Sequence, residues 1–538
     1  MSATPPTTRP AGAPAYSDAR SCKEWLGALP LTNIPQAQSL VLESLHALDR
    51  GQLPGLERLK CLELMRDKIA FLQGEQRSRY FGKSLPLSAN DEGAWAQGRA
   101  LLEAMEAGYR ACLERARAGD AELAPHLALI SQRIVRYLGA QMLFHAMVYR
   151  RFDPQLWVRL HGLFAEAEAA GIAGDPVKDS LETEEGGSSV AEAYAHVVLV
   201  QAAYLAELTA HQIDFAEALL HAWMRKVAVR PPRTDGSEAG SLPLVVALDK
   251  PIGARPAAAA QLAPAHRVID TEGLSRSLRK RILALRSGDE AAKAGLPPQA
   301  MSVDALQQLQ RLHRLWCEGA PPRPPARVPE EKSVGLVFGA AEIHFFLAGG
   351  KPFEQPGQSR ELTPQEKQDI EVFGRITERT QGRMQVEHHY LTEAWEVVDE
   401  MLGAWRVRRP QSASRGVAIG RLVAMRLADG GPFFLGHSSA LAQETDGRIV
   451  MTVTLFPGRP EPVAVRPVDR GRASAKWSEG FRLPALEKLR VPASLVVPGG
   501  VALRGRPVEI WKGEAQEFTV QDVLDRGADF DRVTLAAG

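Results

Sequence analysis

The chain reads as a multi-domain α+β protein. It begins with an all-α helical bundle or array, continues through a small α+β middle unit, and ends in an antiparallel β-barrel with an extra β element. Three observations predict this. A chain of 538 residues is too long for one hydrophobic core and makes about three units at roughly 100–200 residues each. Apolar residues recur at spacings of three and four from about Pro35 to Arg230. Beyond two proline-containing linkers, the rhythm shifts to short apolar runs separated by turn dipeptides.

The helical pattern is carried by Leu56, Leu59, Leu62, Met65, Ile69 and Leu72, which lie on one helix face. Trp95, Leu101, Leu102, Met105, Tyr109 and Cys112 repeat it, as do Leu127, Ile130, Ile134, Leu138, Met142 and His145. A helix is expected around Trp157 to Ala169, and a long one from about Val190 to Val227. Pro231 to Gly240 reads as a linker. Strands at Leu242 to Leu248 and Arg267 to Ile269, with helices at Thr271 to Arg286 and Val303 to Trp316, make the middle unit. A second linker, Pro321 to Pro329, precedes the β-rich part.

There Ser333 to Phe346 reads as a strand run ended by a turn at Ala348-Gly349-Gly350. Thr363-Pro364-Gln365-Glu366 is a capping box with proline at the first helical position, so a helix should run towards Thr380. Six strand runs follow: Ala394–Asp399, Trp405–Arg408, Gly420–Arg426, Pro432–Leu441, Ile449–Phe456 and Pro462–Val465. Turns at Asp429-Gly430, Asp446-Gly447 and Pro457-Gly458 separate some of them, which points to a small antiparallel barrel. The last element has strands at Ala493–Val497, Pro507–Lys512 and Glu517–Val520 and a short helix at about Val520–Asp525. The expected boundaries are a disordered tail at 1–17, helices at 18–230, the α+β unit at 231–330, the barrel at 331–470 and the β element at 471–538.

The net charge of +1 gives no argument for nucleic acid or a membrane surface. Cys22, Cys61, Cys112 and Cys317 are too scattered for a zinc site or a disulfide framework and read as buried thiols in a reducing, cytoplasmic setting. The longest apolar stretch, Ala191 to Ala210, is broken by Glu192, His196, Gln201 and Glu207 and reads as a core helix, not a membrane span.

Most chemistry-bearing motifs fail on their own terms. Gly436-His437-Ser438-Ser439-Ala440 is close to a hydrolase nucleophile elbow, but a strand pattern follows it and His437 is the last histidine. Gly349-Gly350-Lys351-Pro352 lacks the first glycine of a phosphate loop and has proline in place of Ser/Thr. His388 and His389 adjoin in an expected strand, so they point to opposite faces and cannot grip one metal. No acid–base, nucleophile or metal constellation remains, and the chain reads as a binding protein, not an enzyme.

Arg375, Arg379 and Arg383 repeat R-x-x-x-R, a spacing that recurs at Arg466 and Arg470. The bland explanation is a cationic face near a helix C-terminus, which the helix dipole favours. Twenty residues beyond Arg379 a strand, Trp395–Val398, leads into Asp399-Glu400-Met401-Leu402-Gly403-Ala404. This arrangement resembles the PilZ family, bacterial receptors for cyclic di-GMP. The resemblance implies a six-stranded barrel with R-x-x-x-R before it and a D/N-x-S-x-x-G turn on it. It implies that Arg375 and Arg379 contact the phosphates and stack on guanine, and that Asp399 binds a guanine edge. Guanidinium forks suit phosphates and stack on purines, and a carboxylate suits the guanine N–H donors. Met401 stands where the family has serine, and Ala404 stands where it has the final glycine, with Gly403 one position early. The resemblance therefore carries two expectations. One is a cyclic di-GMP receptor using Arg375, Arg379, Asp399, Met401 and Gly403, with no other cofactor and no metal. The other is a degenerate relative that binds no nucleotide and acts as a scaffold, contacting a protein partner through its helical part.

Overall fold

Side-chain caps from Asp18, Asn33, Ser88, Ser189 and Thr209 mark where five of the helices of the first half begin. The computed structural model of the chain describes residues 14–51, 53–181, 187–233, 240–319, 325–329, 333–357, 364–375, 377, 390–413, 415–427, 431–469, 472–474 and 476–537. The expected tail, residues 1–17, lies largely outside this range. The chain divides into two compact units, Met1–Pro322 and Arg323–Gly538.

In the first unit a bundle is built from α1 (Ala19–Gly27), α2 (Ile34–Arg50), α3 (Gly55–Arg77), α4 (Ala89–Arg117), α5 (Leu127–Ala146), α6 (Gln155–Ala169), α7 (Val190–Ala202) and α8 (Ala210–Trp223). Asp18 and Ser21 form a capping box at α1, and Ser189 and Glu192 form one at α7. The faces expected from spacing are buried, including Leu59, Leu62, Met65, Ile69 and Leu72 on α3 and Ile130, Ile134, Leu138 and Met142 on α5. One expectation fails here: Val190–Val227 is two helices, not one. Tyr204 leaves helical geometry with φ 55°, and Thr209 and Gln212 cap α8 reciprocally. That box satisfies the backbone N–H groups of Thr209 and Gln212, so the chain restarts there although its apolar pattern runs on.

Four short strands follow: β1 (Ala228–Arg230), β2 (Ser241–Ala247), β3 (Arg255–Ala258) and β4 (His266–Asp270). They pair antiparallel in the order β1-β4-β2-β3 and carry α9 (Glu272–Arg286) and α10 (Ala305–His313). Leu244, Val246, Ile269, Leu274 and Trp316 are continuous with the core of the helical bundle. Trp316 Nε1 donates to the Leu199 carbonyl at 2.8 Å, which ties this element to α7.

The second unit contains β5 (Ser333–Phe338), α11 (Ala340–Leu347), α12 (Pro364–Phe373), β6 (Glu393–Met401), β7 (Ala404–Arg408), β8 (Leu422–Arg426), β9 (Phe434–Gln443) and β10 (Ile449–Leu455). The strands close into an antiparallel barrel in the order β10-β7-β6-β5-β8-β9. Its membership differs from the expectation by one strand. The sixth member is β5, and the run Pro462–Val465 belongs to β11 (Glu461–Asp469) of a second barrel. The expected strand Ser333–Phe346 also stops at Phe338. Its second half is α11, which turns Ile343 into an apolar core shared by both barrels. A short apolar run does not distinguish strand from helix by period, and here tertiary packing decides.

The second barrel is completed by β12 (Arg472–Ala473), β13 (Ser478–Leu483), β14 (Ser494–Pro498), β15 (Pro507–Trp511), β16 (Ala515–Arg526) and β17 (Phe530–Ala537). The order β12-β11-β13-β14-β17-β16-β15 is closed by pairing of β11 with β15. The helix expected at Val520–Asp525 is absent: that segment is the bulged part of β16, where the register on β17 shifts between Val520 and Val523 and again before Asp525. Bulges break the strict alternation that marks a strand. The barrels pack through Phe433 and Phe456 of the first and Phe481 and Phe530 of the second. Leu422 N donates to Asp529 Oδ1 at 2.9 Å beside this contact.

No described helix is long and apolar enough to cross a membrane. Cys22, Cys61 and Cys112 are buried free thiols and Cys317 is half-buried. Burial pushes the Cys112 and Cys317 thiols up to about 11.

Candidate functional site

The hairpin β6–β7 carries the residues that the sequence singles out. Val397 pairs with Val407, Asp399 with Arg406 and Met401 with Ala404, and the register shifts between Val397 and Asp399. The extra residue, Val398, is a bulge, and bulges re-aim side chains. It sets Asp399 opposite Arg406 and not opposite buried Trp405. Leu402 and Gly403 make the two-residue turn, and Gly403 takes φ 73° there, which a side chain would oppose. The Asp399 carboxylate is used on one side only. Its Oδ2 lies 3.2 Å from Arg406 Nη1, whereas Oδ1 is buried and accepts no hydrogen bond among the described residues. A buried carboxylate oxygen without a donor is costly and stands out in a native fold. Arg406 is partly open to solvent.

The neighbouring charges are committed. Arg408 meets Glu396 at 2.8 Å and Glu444 at 3.3 Å, and the Glu396 bond chiefly raises its pKa. Glu400 receives Arg327 at 2.7 Å. Among the described residues, Asp399 is the carboxylate of this hairpin whose unpaired oxygen is buried.

Arg375 is exposed and lies just beyond α12, which ends at Phe373 and not near Thr380 as expected. The reason is local: Asp369 Oδ2 accepts from Thr377 N at 3.0 Å and from Thr377 Oγ1 at 2.8 Å, which replaces helical pairing. Arg379 and Arg383 lie outside the described residues, as do His388 and His389. No hydrogen bond or ion pair joins Arg375 to Asp399 among the described residues. Met401 ends β6 and pairs with Ala404, which opens β7, and Gly403 lies in the turn between them.

The other motifs are structural. Ser438 sits inside β9, nearly fully buried, where its Oγ donates to the Ala418 carbonyl at 2.7 Å and accepts from Arg421 N at 2.9 Å. Gly436 is glycine because a Cβ there would lie 2.3 Å from the Thr454 carbonyl of β10. No nucleophile elbow exists at this position. Gly350 N donates to the Phe345 carbonyl at 2.9 Å, closing a turn after α11. Arg466 is held by Glu509 at 2.6 Å and lies over the Trp477 ring at 4.3 Å, while Arg470 lies outside the described residues. Among the described residues no cluster of His, Cys, Asp and Glu could hold a metal ion.

Sequence reasoning missed Arg406. The alternation Trp405-Arg406-Val407-Arg408 places Arg406 and Arg408 on one face, but the bulge that pairs Arg406 with Asp399 leaves no mark in the sequence.

Residues 20–233 match the family model described as the N-terminal domain of the cyclic-di-GMP receptor FimW. Residues 244–408 match the one described as the middle PilZ domain of the same receptor. The second match covers β2 to β7 and thus includes the Asp399 hairpin. The chain is similar to the curated protein "Cyclic-di-GMP receptor FimW" of Pseudomonas aeruginosa, 23% identical over 527 residues, with 91% of this chain and 86% of that protein covered. No solved structure matches.

Proposed function

Because the chain belongs to the PilZ-like family represented by FimW, with a helical N-terminal domain ahead of its barrels, we propose that it is a regulatory protein that binds cyclic di-GMP at the β6–β7 hairpin of the first barrel. The observation that carries this reading is the half-used Asp399 carboxylate. Oδ2 is engaged by Arg406, and Oδ1 is a buried acceptor without a donor among the described residues. A guanine edge offers N–H donors to such an oxygen, and a charge-assisted bond there removes the cost of leaving it bare. Arg375 and Arg379 supply guanidinium forks for the two phosphates and planar faces for guanine. The similar Pseudomonas protein is named as a receptor for the same ligand. Nothing in this role calls for bond making, so the chain acts by binding, from the cytoplasm, and the helical unit passes the signal to a protein partner.

Met401 favours a second reading. A thioether cannot donate a hydrogen bond at the place where the family has a serine hydroxyl. On that reading the Asp399–Arg406 pair is structural and the protein is a scaffold that binds no nucleotide. Calorimetric titration of the full chain with cyclic di-GMP, with GTP as the control, separates the two. Saturable heat with cyclic di-GMP alone, lost in Arg375→Ala/Arg379→Ala, supports the receptor. Absence of saturable heat well above micromolar ligand leaves the scaffold.

A further inference from the structure

The solvent face of α9 is a cationic stripe with one apolar residue in its middle. Leu274, Leu278 and Ile282 bury one side of this helix in the core of the first unit. On the other side Arg276, Arg279, Lys280, Leu283 and Arg286 lie three or four residues apart and are exposed, Leu283 to 62%. Lys226 Nζ donates to Ser277 Oγ at 2.9 Å, which sets exposed Arg225 and Lys226 beside the same helix.

The acids of this stretch do not balance the stripe. Glu272 shares its face and meets Arg276 at 3.9 Å, with both side chains more than three-quarters exposed, so water screens the pair. Asp270 is opposite Arg230 at 3.7 Å, and Glu290 is opposite Lys293 at 3.9 Å. Arg279 Nε donates to His313 Nε2 at 3.2 Å, a neutral acceptor. Counted in the full sequence, residues 225–293 hold 13 Lys/Arg against 7 Asp/Glu, an excess of six cations in a chain whose net charge is +1. A basic amphipathic helix of this kind is suited to an anionic partner. Insertion into a membrane is disfavoured, because the apolar side of α9 is already committed to the core and Leu283 alone remains. A phosphate backbone has no use for a leucine at the centre of the stripe, whereas an acidic protein helix with an apolar residue among its acids does.

We propose that the exposed face of α9 is a docking surface for an acidic segment of a partner protein, with Leu283 as its apolar anchor and Arg276, Arg279, Lys280 and Arg286 meeting the partner's carboxylates. It rests on the reading that the first unit meets a protein partner, and not on nucleotide binding at the hairpin. The probe is a fluorescein-labelled helical peptide as long as α9, with glutamates around a central leucine on one face, titrated with the full chain and followed by anisotropy. The same peptide with glutamine for glutamate, vesicles of phosphatidylcholine and phosphatidylserine, and a short DNA duplex are the comparisons. Saturable binding of the acidic peptide is expected, weakening with salt. Lys280→Glu/Arg286→Glu should weaken it about tenfold, as two exposed attractions become repulsions. Leu283→Ser should weaken it about fivefold. Lys23→Glu/Lys83→Glu, which changes the net charge equally at exposed sites on other elements, should leave it within twofold. Melting curves identify a variant that fails to fold, in which case Arg276→Glu/Lys280→Glu takes the place of the first pair. Cyclic di-GMP heats on the same samples report the hairpin separately, so a lost peptide response with intact heats sinks this surface and leaves the receptor standing. The proposal is overturned if the wild type does not bind the acidic peptide, if the vesicles or the duplex bind more tightly than it does, or if the Lys23/Lys83 reversal costs as much as the α9 reversal.

Discussion

Asp399 and Arg406 face each other across the β6–β7 hairpin, and the guanidinium meets only one of the two carboxylate oxygens. The pair fixes the carboxylate in place while leaving Oδ1 as an acceptor. Replacing Asp399 with alanine removes that acceptor and should weaken cyclic di-GMP binding about 10- to 200-fold, the effect of one hydrogen bond to a charged group. Calorimetry reads this directly, and unchanged affinity in Asp399→Ala would move the site away from the hairpin.

The departures at the turn give the converse test. Met401→Ser with Ala404→Gly restores the family pattern. If the turn is part of the site, the added hydroxyl should strengthen binding roughly 2- to 10-fold, the range for a neutral hydrogen bond. Weaker binding in the restored variant would show that the thioether is itself adapted to the ligand.

Ser438 should behave as a structural residue. Its hydroxyl bridges the Ala418 carbonyl and Arg421 N inside the first barrel, so Ser438→Ala leaves both groups without that partner. A loss of roughly 1–3 kcal/mol in unfolding free energy is expected, with ligand affinity retained. Chemical denaturation measures the first and titration the second. An esterase activity that vanishes in the variant would contradict this assignment.

Asp179 anchors buried Arg66 and Arg133. Burial alone would raise its carboxyl, but the two guanidiniums outweigh that and hold it below the ordinary carboxylate range. A depressed carboxyl contributes stability above the unfolded pKa, and that contribution is lost as pH falls through the folded value. The melting temperature should therefore drop below about pH 4, where an unfolded aspartate begins to protonate. Asp179→Asn should cost about 3–5 kcal/mol at neutral pH, because it strands buried cations, and should flatten that acid dependence.

Glu217 has the opposite sign. Burial is the main cause that pushes it up to about 7, with Asp214 adding and Arg77 and Arg136 opposing. The folded state holds its proton more tightly than the unfolded state, so this group's favourable share is complete below the usual glutamate range and is lost as pH rises through about 7. Glu217→Gln should raise the melting temperature at pH 8 more than at pH 5. Equal shifts at both would show that the carboxyl titrates normally.

The helical half was legible because its signals are local. Leu59 to Leu72 and Ile130 to Met142 repeat at helix period, and those faces are the buried ones. The break before α8 was also written locally, in the Thr209–Gln212 capping box, but the apolar run across it concealed it. The barrels were legible in their hairpins and not in their closure. Pairing of β5 with β6 and β8, and of β11 with β15, joins segments far apart in the chain, and nothing in Ser333–Phe338 or Glu461–Asp469 names its partner. Asp399 and Gly403 could be picked out from the turn, whereas Arg406 became visible only through the bulge at Val398. Arg375 was placed near a helix end, and Asp369 is what sets that end earlier than the capping signal implied.

The far-apart origin of β5 has a consequence during synthesis. The ribosome releases β5 early, at Ser333–Phe338, but its two neighbours in the barrel are β6, which starts at Glu393, and β8, which ends at Arg426. Until both have emerged, at roughly 5–20 residues per second, β5 is a nascent strand with two open edges. Val334, Leu336 and Val337, all buried in the finished barrel, are exposed for that interval. A slow codon cluster between Phe338 and Glu393 would lengthen that waiting time and make the emerging chain depend on a chaperone, whereas the same cluster after Leu455 would come when the ring can already shut.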